Sequence, residues 1–255
     1  MSQKHEKKSN TDFTKKPNNS KTKQWIWGTH AVTAALNNKN RKVNQLLATR
    51  NALSILGNIP AISGVIATDP ARITQSLPAG AVHQGLAVQI DPLPPVSLDN
   101  ILNNLSGSLL MLDGLTDPRN IGAIFRSAAA FGVAGIIMQD RNAPNLSGVL
   151  AKAAAGAVEQ VPLIPVVNLS RTLEKLSDAG VQSIGLAGGT QTSIADAVKS
   201  ADKICLVLGS EGKGLRPNVA KHCDFLAKIP ISSNMESLNV ATAAAIAMYE
   251  VERGS

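Results

Sequence analysis

The residues of this chain best suited to chemistry concentrate in three short blocks. They read Asp-Pro-Arg-Asn-Ile-Gly-Ala-Ile-Phe-Arg-Ser-Ala over 117–128, Leu-Gly-Ser-Glu-Gly-Lys-Gly-Leu over 208–215, and Ile-Pro-Ile-Ser-Ser-Asn-Met-Glu-Ser-Leu-Asn-Val over 229–240. Each follows a short apolar run, at 109–112, 204–208 and 225–229. Strand ends that run into polar, glycine-bearing turns are where open α/β sheets hold their ligands. Three such turns imply one composite site. Among the polar side chains these blocks carry are Asn120, Arg126, Glu211, Ser237 and Asn239. Cys205 and Cys223 follow no metal-ligand spacing, and His222 beside Cys223 lacks further ligands, so no metal is expected.

Each block admits a structural reading beside a chemical one. The glycine loop is no Walker phosphate loop, because Leu215 stands where a lysine is required after the second glycine. It also fails the dinucleotide fingerprint, since Pro217 occupies the third glycine position. Its glycines instead suit a tight turn and a close backbone approach to another ligand. Glu211, between flexible neighbours, suits a hydrogen bond to a ligand or to a partner loop. Asn120 either caps the helix that begins there or faces the site. Arg126 suits a surface ion pair or a phosphate. Ser237 is a natural N-cap for the last helix, and Asn239 falls in its first turn. Ile229 ends a strand, and Pro230 removes a backbone donor, leaving strand-end carbonyls free to accept.

These blocks need a sheet to hold them. Strands are predicted at 109–112, 135–138, 163–167, 183–187, 204–208 and 226–229, with helices at 121–131, 146–155, 169–178 and 216–221. That alternation predicts an α/β domain with a mostly parallel sheet. The closing segment 237–252 is apolar on nearly every face, which suits a central core helix or a subunit interface. Upstream, helices at 29–37, 52–57 and 70–77 alternate with strands at 43–48, 62–67 and 85–90, enough for a small α/β domain. Thr29 is a plausible N-cap there, and Pro70 a favourable first helical residue. The Pro-rich stretch 91–96 reads as a stiff linker, with a short helix near 99–105. The expected division is a tail over 1–24, a first domain over 25–90, a linker over 91–107 and a second domain over 108–255.

Composition bounds the rest. Of 255 residues, 44% are apolar but only 3% aromatic, so the core must be built from Ala, Val, Leu and Ile. No apolar run is long enough for a membrane span, no signal peptide is visible, and two cysteines give no disulfide framework. A cytoplasmic home is the simplest expectation. Net charge is +7, of which +5 comes from residues 1–24, where seven Lys oppose Glu6 and Asp12. Such a tail is expected to lack order and serves either as a loose polycation for a polyanion or as a solubility segment. Lys39, Arg41, Lys42 and Arg50 form a local basic cluster that either contacts RNA phosphates or is a solvated face.

The three blocks resemble the signature motifs of the SpoU/TrmH family of RNA ribose 2′-O-methyltransferases, within the SPOUT superfamily. The resemblance covers about 109–252. The first domain, through Trp27-Gly-Thr-His-Ala-Val and His83-Gln-Gly-Leu-Ala-Val, is similar to the L30e-like substrate-binding domain of ribosomal-RNA members. The resemblance implies a C-terminal SPOUT domain with a deep trefoil knot, binding S-adenosylmethionine through backbone around Gly209, Ile229 and Leu238. It puts Asn120, Arg126, Glu211, Ser237 and Asn239 on the family's polar active-site positions. It further implies a homodimer that methylates a ribose in 23S rRNA, at a guanosine, with Arg126 holding a phosphate beside the developing alkoxide. Ser233 and Ile231 depart from the glycine and methionine common in the third motif. A tRNA or antibiotic-resistance rRNA methylase, and a non-catalytic RNA-binding assembly factor, are the competing readings.

Overall fold

A computed structural model describes residues 24–57, 64–200 and 202–254. The expected tail, apart from its last residue, and the start of the expected strand at 62 lie outside the described residues. The N-terminal unit holds β1 (Gln24–Trp27), α1 (Thr29–Asn37), β2 (Val43–Ala48), α2 (Arg50–Leu56), β3 (Val65–Ala67), α3 (Pro70–Gln75) and β4 (Leu86–Ile90). Its sheet runs β1-β4-β2-β3, antiparallel except where β2 meets β3. β1 was not anticipated, because four residues after a long polar run give too little alternation to read.

After α4 (Leu98–Leu102), the C-terminal unit alternates strands and helices. These are β5 (Leu109–Asp113), α5 (Pro118–Ala130), β6 (Gly135–Gln139), α6 (Gly148–Ala153), β7 (Leu163–Val166), α7 (Leu169–Asp178) and β8 (Gln182–Leu186). There follow α8 (Ile194–Ala197), β9 (Ile204–Gly209), α9 (Pro217–His222), β10 (Phe225–Ala227) and α10 (Val240–Gly254). The six strands form one sheet in the order β10-β8-β9-β5-β6-β7, parallel throughout. The expected α/β class with a mostly parallel sheet is therefore present. β5 and β9, the middle strands, are buried along almost their whole length. Strands buried on both faces read as continuous apolar runs, which is why they stood out in the sequence.

Several helix ends differ from expectation. Gly28, at φ 91°, precedes α1, and Thr29 is its first residue. The Thr29 amide donates instead to Gln84 Oε1 at 3.1 Å, so a side chain from the β4 approach does the capping. Asp117, not Asn120, caps α5 by accepting from the Arg119 amide at 2.8 Å. Asn239, not Ser237, caps α10, its Oδ1 accepting from Ala241 at 2.9 Å and Thr242 at 3.3 Å. β10 stops at Ala227, two residues before Ile229, because the Lys228 amide turns away to Thr192 O.

One apolar cluster runs through both units, with a smaller cluster on the other face of each sheet. Ile26, Val32 and Leu36 from the first join Leu150, Ala154 and Val158 from the second. The stretch after Asp91 is thus no free tether between separate cores. α10 buries Val240, Ala244, Ala247, Met248 and Val251, yet Tyr249 is 51% exposed. The expectation of burial on every side of that helix does not hold within a single chain. Among the described residues, no helix is long and apolar enough to cross a membrane.

Cys205 and Cys223 are free. Burial, then the charges of Asp224 and Asp113, push the Cys223 thiol up to about 12, and burial raises Cys205 as well. Raised thiol values favour the protonated folded state, so stability is lost as pH climbs above the unfolded value of 9.0. At about pH 8, iodoacetamide is expected to label the native protein at least about 100-fold more slowly than the urea-unfolded chain. Equal rates would show that these thiols are not desolvated.

Candidate active site

The parallel sheet brings the turns after β5 and β9 side by side, since Asp113 lies opposite Gly209 in register. Asp113 is fully buried, and its carboxylate takes two bonds from Arg216: from Nε at 2.6 Å and from the backbone amide at 2.8 Å. Arg216 also donates to Gln139 Oε1 at 3.3 Å. This pair anchors the far end of the glycine loop to the end of β5. The loop closes on itself through Ser210 and Gly214, with mutual backbone bonds of 3.1 and 2.9 Å. Gly212 and Gly214 take φ of 76° and 65°, which side chains disfavour. A Cβ on Gly209 would stand 2.0 Å from the carbonyl carbon of Gly214. Only glycine lets the strand end and the loop pass this closely.

Glu211 projects from that loop into a cluster of amides. Its Oε1 accepts from Asn120 Nδ2 at 2.9 Å, from Asn239 Nδ2 at 2.9 Å and from the Val240 amide at 3.5 Å. Asn239 Nδ2 also lies 3.1 Å from Asn120 Oδ1. One carboxylate oxygen therefore ties together all three sequence blocks. It sits at the N-terminus of the fifteen-residue α10, where the helix dipole favours negative charge.

Beside this cluster opens a cleft of about 830 Å³. Gly209, Ile229, Leu238, Glu211, Ser237 and Asn239 all line it, so the expected cofactor-binding residues and three of the expected polar residues meet there. Asn120 touches it through Glu211. A further wall, Leu186–Gly188 at the end of β8, lies outside the three blocks, although the Gly-Gly-Thr-Gln-Thr run over 188–192 is the same kind of polar, glycine-bearing turn after a strand. The volume lies in the range of small-molecule sites.

Arg126 does not join this cluster. It is exposed and lies six residues past Asn120, about 9 Å further along α5 and turned well round the helix. The basic cluster divides likewise. Lys39 and Arg50 are exposed, and Lys42 is exposed with its Nζ 3.5 Å from Asp91. Arg41 departs from the expected phosphate contact: it is buried and bound to Glu159 of the second unit at 2.6 Å, which leaves its guanidinium closed to a phosphate. Local spacing could not reveal a partner 118 residues away. The Asp113–Arg216 anchor, which joins residues 103 apart, is hidden from local spacing in the same way. Among the described residues, no group of three or more His, Cys, Asp or Glu could hold a metal ion.

Residues 107–249 match the family profile described as the SpoU rRNA Methylase family. The chain belongs to the SpoU methylase family. It is an RNA methyltransferase. Residues 25–96 match a second profile, RNA 2′-O ribose methyltransferase substrate binding. The chain is 34% identical over 241 residues to the 23S rRNA (guanosine-2′-O-)-methyltransferase RlmB of Pseudomonas aeruginosa, covering 90% of this chain and 97% of that protein. It is 36% identical over 240 residues to an uncharacterized tRNA/rRNA methyltransferase of Synechocystis, covering 89% of this chain but only 62% of that longer protein. In fold it matches an AdoMet-bound rRNA methyltransferase from Sinorhizobium meliloti with a TM-score of 0.76 at 23% identity, covering 91% of this chain and 87% of that one.

The Gly209 contact yields a direct test. Gly209→Ala is expected to force the loop from the strand end at about 2 kcal/mol, lowering the thermal midpoint by about 4–8 °C in a chain of this size. An unchanged midpoint would mean that the loop does not close on β9 as described.

Proposed function

We propose that this protein carries the methyl group of S-adenosylmethionine to the 2′-hydroxyl of a guanosine ribose in 23S rRNA. The observation that carries this reading is the end-to-end correspondence with RlmB, which includes the N-terminal unit as well as the cleft. In this reading residues 25–90 bind RNA, 91–107 link, and 108–255 bind cofactor and catalyse. The protein acts in the cytoplasm, and the loops around the cleft form the family's trefoil knot.

The cleft fits the cofactor. Its size suits a nucleoside-sized ligand, and backbone around Gly209, Ile229 and Leu238 lines it without side-chain bulk at Gly209. S-adenosylmethionine supplies a methyl group on positively charged sulfur. Pro230 offers no amide donor, so the nearby carbonyls suit an adenine amino group. Glu211 holds the loops through Asn120 and Asn239, leaving the cleft preorganised.

A ribose hydroxyl is a weak nucleophile and must lose its proton near the transition state. A guanidinium is a poor base, so Arg126 serves by holding a phosphate and favouring the developing alkoxide. Because Arg126 stands off its own chain's cleft, a second copy supplies it. The half-exposed side of α10 suits that homodimer. Tyr249 lies there, meeting Phe131 edge-on at 6.2 Å between ring centres.

Two measurements test this reading. Mapping of 2′-O-methyl marks on cellular RNA with and without the protein is expected to show loss of one guanosine mark in 23S rRNA. Loss confined to tRNA, or no loss, would contradict it. Arg126→Ala is expected to cut turnover by about 100- to 1000-fold with S-adenosylmethionine affinity unchanged. Turnover within about threefold of the unmodified protein would remove Arg126 from the mechanism.

A further inference from the structure

We infer that the buried Arg41–Glu159 pair is a positioning device: it locks the N-terminal unit onto the catalytic unit in one orientation, so the enzyme selects RNA by a fixed span between the two. This rests on the reading of residues 25–90 as the RNA-binding unit.

Four observations carry it. First, the pair is almost wholly buried, at 1% and 3% side-chain exposure. Arg41 grips Glu159 through Nε at 3.0 Å and Nη2 at 2.6 Å, a two-pronged geometry that fixes angle as well as distance. Second, the pair is completed from both sides. Asn38 Nδ2 donates to Glu159 Oε2 at 2.7 Å, and Arg41 Nη1 donates to Asp91 O at 3.0 Å. The start of the linker is thus part of the same bolt. Third, the two units approach closely at two glycines. A Cβ on Gly156, at φ 96°, would lie 2.6 Å from Ala34 Cβ, and one on Gly148 would lie 3.1 Å from the Trp27 ring. Fourth, a second strap lies apart from the first, where Lys152 Nζ donates to Val82 O at 2.6 Å.

Together these features make a two-point attachment over a shared apolar core. A buried ion pair adds little stability compared with apolar packing, but it is costly to break from one side. Such pairs specify geometry better than they add strength. An RNA held on the N-terminal unit therefore presents its target ribose at one distance and angle from the cleft. A short RNA that reaches only the cleft gains nothing from this span.

The test uses the full chain with Glu159→Gln, with Arg41→Met, and with the double change Arg41→Met and Glu159→Leu. Two substrates are compared: a 23S fragment long enough to touch both units, and a short oligoribonucleotide carrying the target nucleotide. Each single change is expected to lower kcat/KM on the long RNA by about tenfold or more, while the short RNA and S-adenosylmethionine affinity stay within about twofold. The double change, which replaces the pair with apolar packing, is expected to restore the long-RNA preference. Equal loss on both RNAs would overturn the positioning role, as would no loss on either. Methylation of the short RNA reports the catalytic reading separately, so the two ideas fail independently. Should the single variants not fold, spin labels at Ile55→Cys and Lys203→Cys in the otherwise unmodified chain decide the matter. One narrow distance distribution is expected, and a broad one would overturn the lock.

Discussion

A single carboxylate oxygen organises the functional end of this molecule. Glu211 Oε1 receives Asn120 from the first turn of α5, and Asn239 with the Val240 amide from the start of α10. The two helix starts and the glycine loop lie far apart in sequence. Convergence on one acceptor gives them a common reference, and the helix dipole of α10 places positive potential where that acceptor sits. The arrangement is possible only because β9 lies beside β5 in the sheet, and because Asp113 pins the glycine loop through Arg216. Charge, register and glycine freedom therefore act on one place.

The same economy of space governs the junction between the units. With so few aromatics, the core relies on Ala, Val, Leu and Ile, and small side chains let helices and turns approach closely. Gly156 against Ala34 and Gly148 against Trp27 are the extreme cases. Polar groups caught in such a junction must find partners, and Arg41, Glu159 and Asn38 satisfy one another. No buried side-chain nitrogen or oxygen among the described residues lacks a partner.

Much of this was legible in the sequence. The apolar runs at 109–112 and 204–208 became the middle strands of the parallel sheet, and 169–178 became α7 with unchanged bounds. The second and third blocks supplied most of the residues that line the cleft, and the first supplied Asn120, which Glu211 holds beside it. What the sequence hid was long-range pairing of polar groups. Arg41 looks like one of four surface cations until Glu159 closes on it. Asn120 and Ser237 look like caps because capping is a local habit, but Asp117 and Asn239 take those places. Thr29 yields to Gln84 from a distant turn. Arg126 shares a motif with Asn120 yet faces elsewhere, since helical phase separates residues that sequence places together.

The turns that follow β8, β9 and β10 enclose one methyl donor. Hydrogen exchange with and without S-adenosylmethionine tests this most directly. The expected result is joint protection of 186–188, 209–215 and 229–240, with α1 and α3 unaffected. Protection confined to one of those turns, or none at saturating cofactor, would contradict the account.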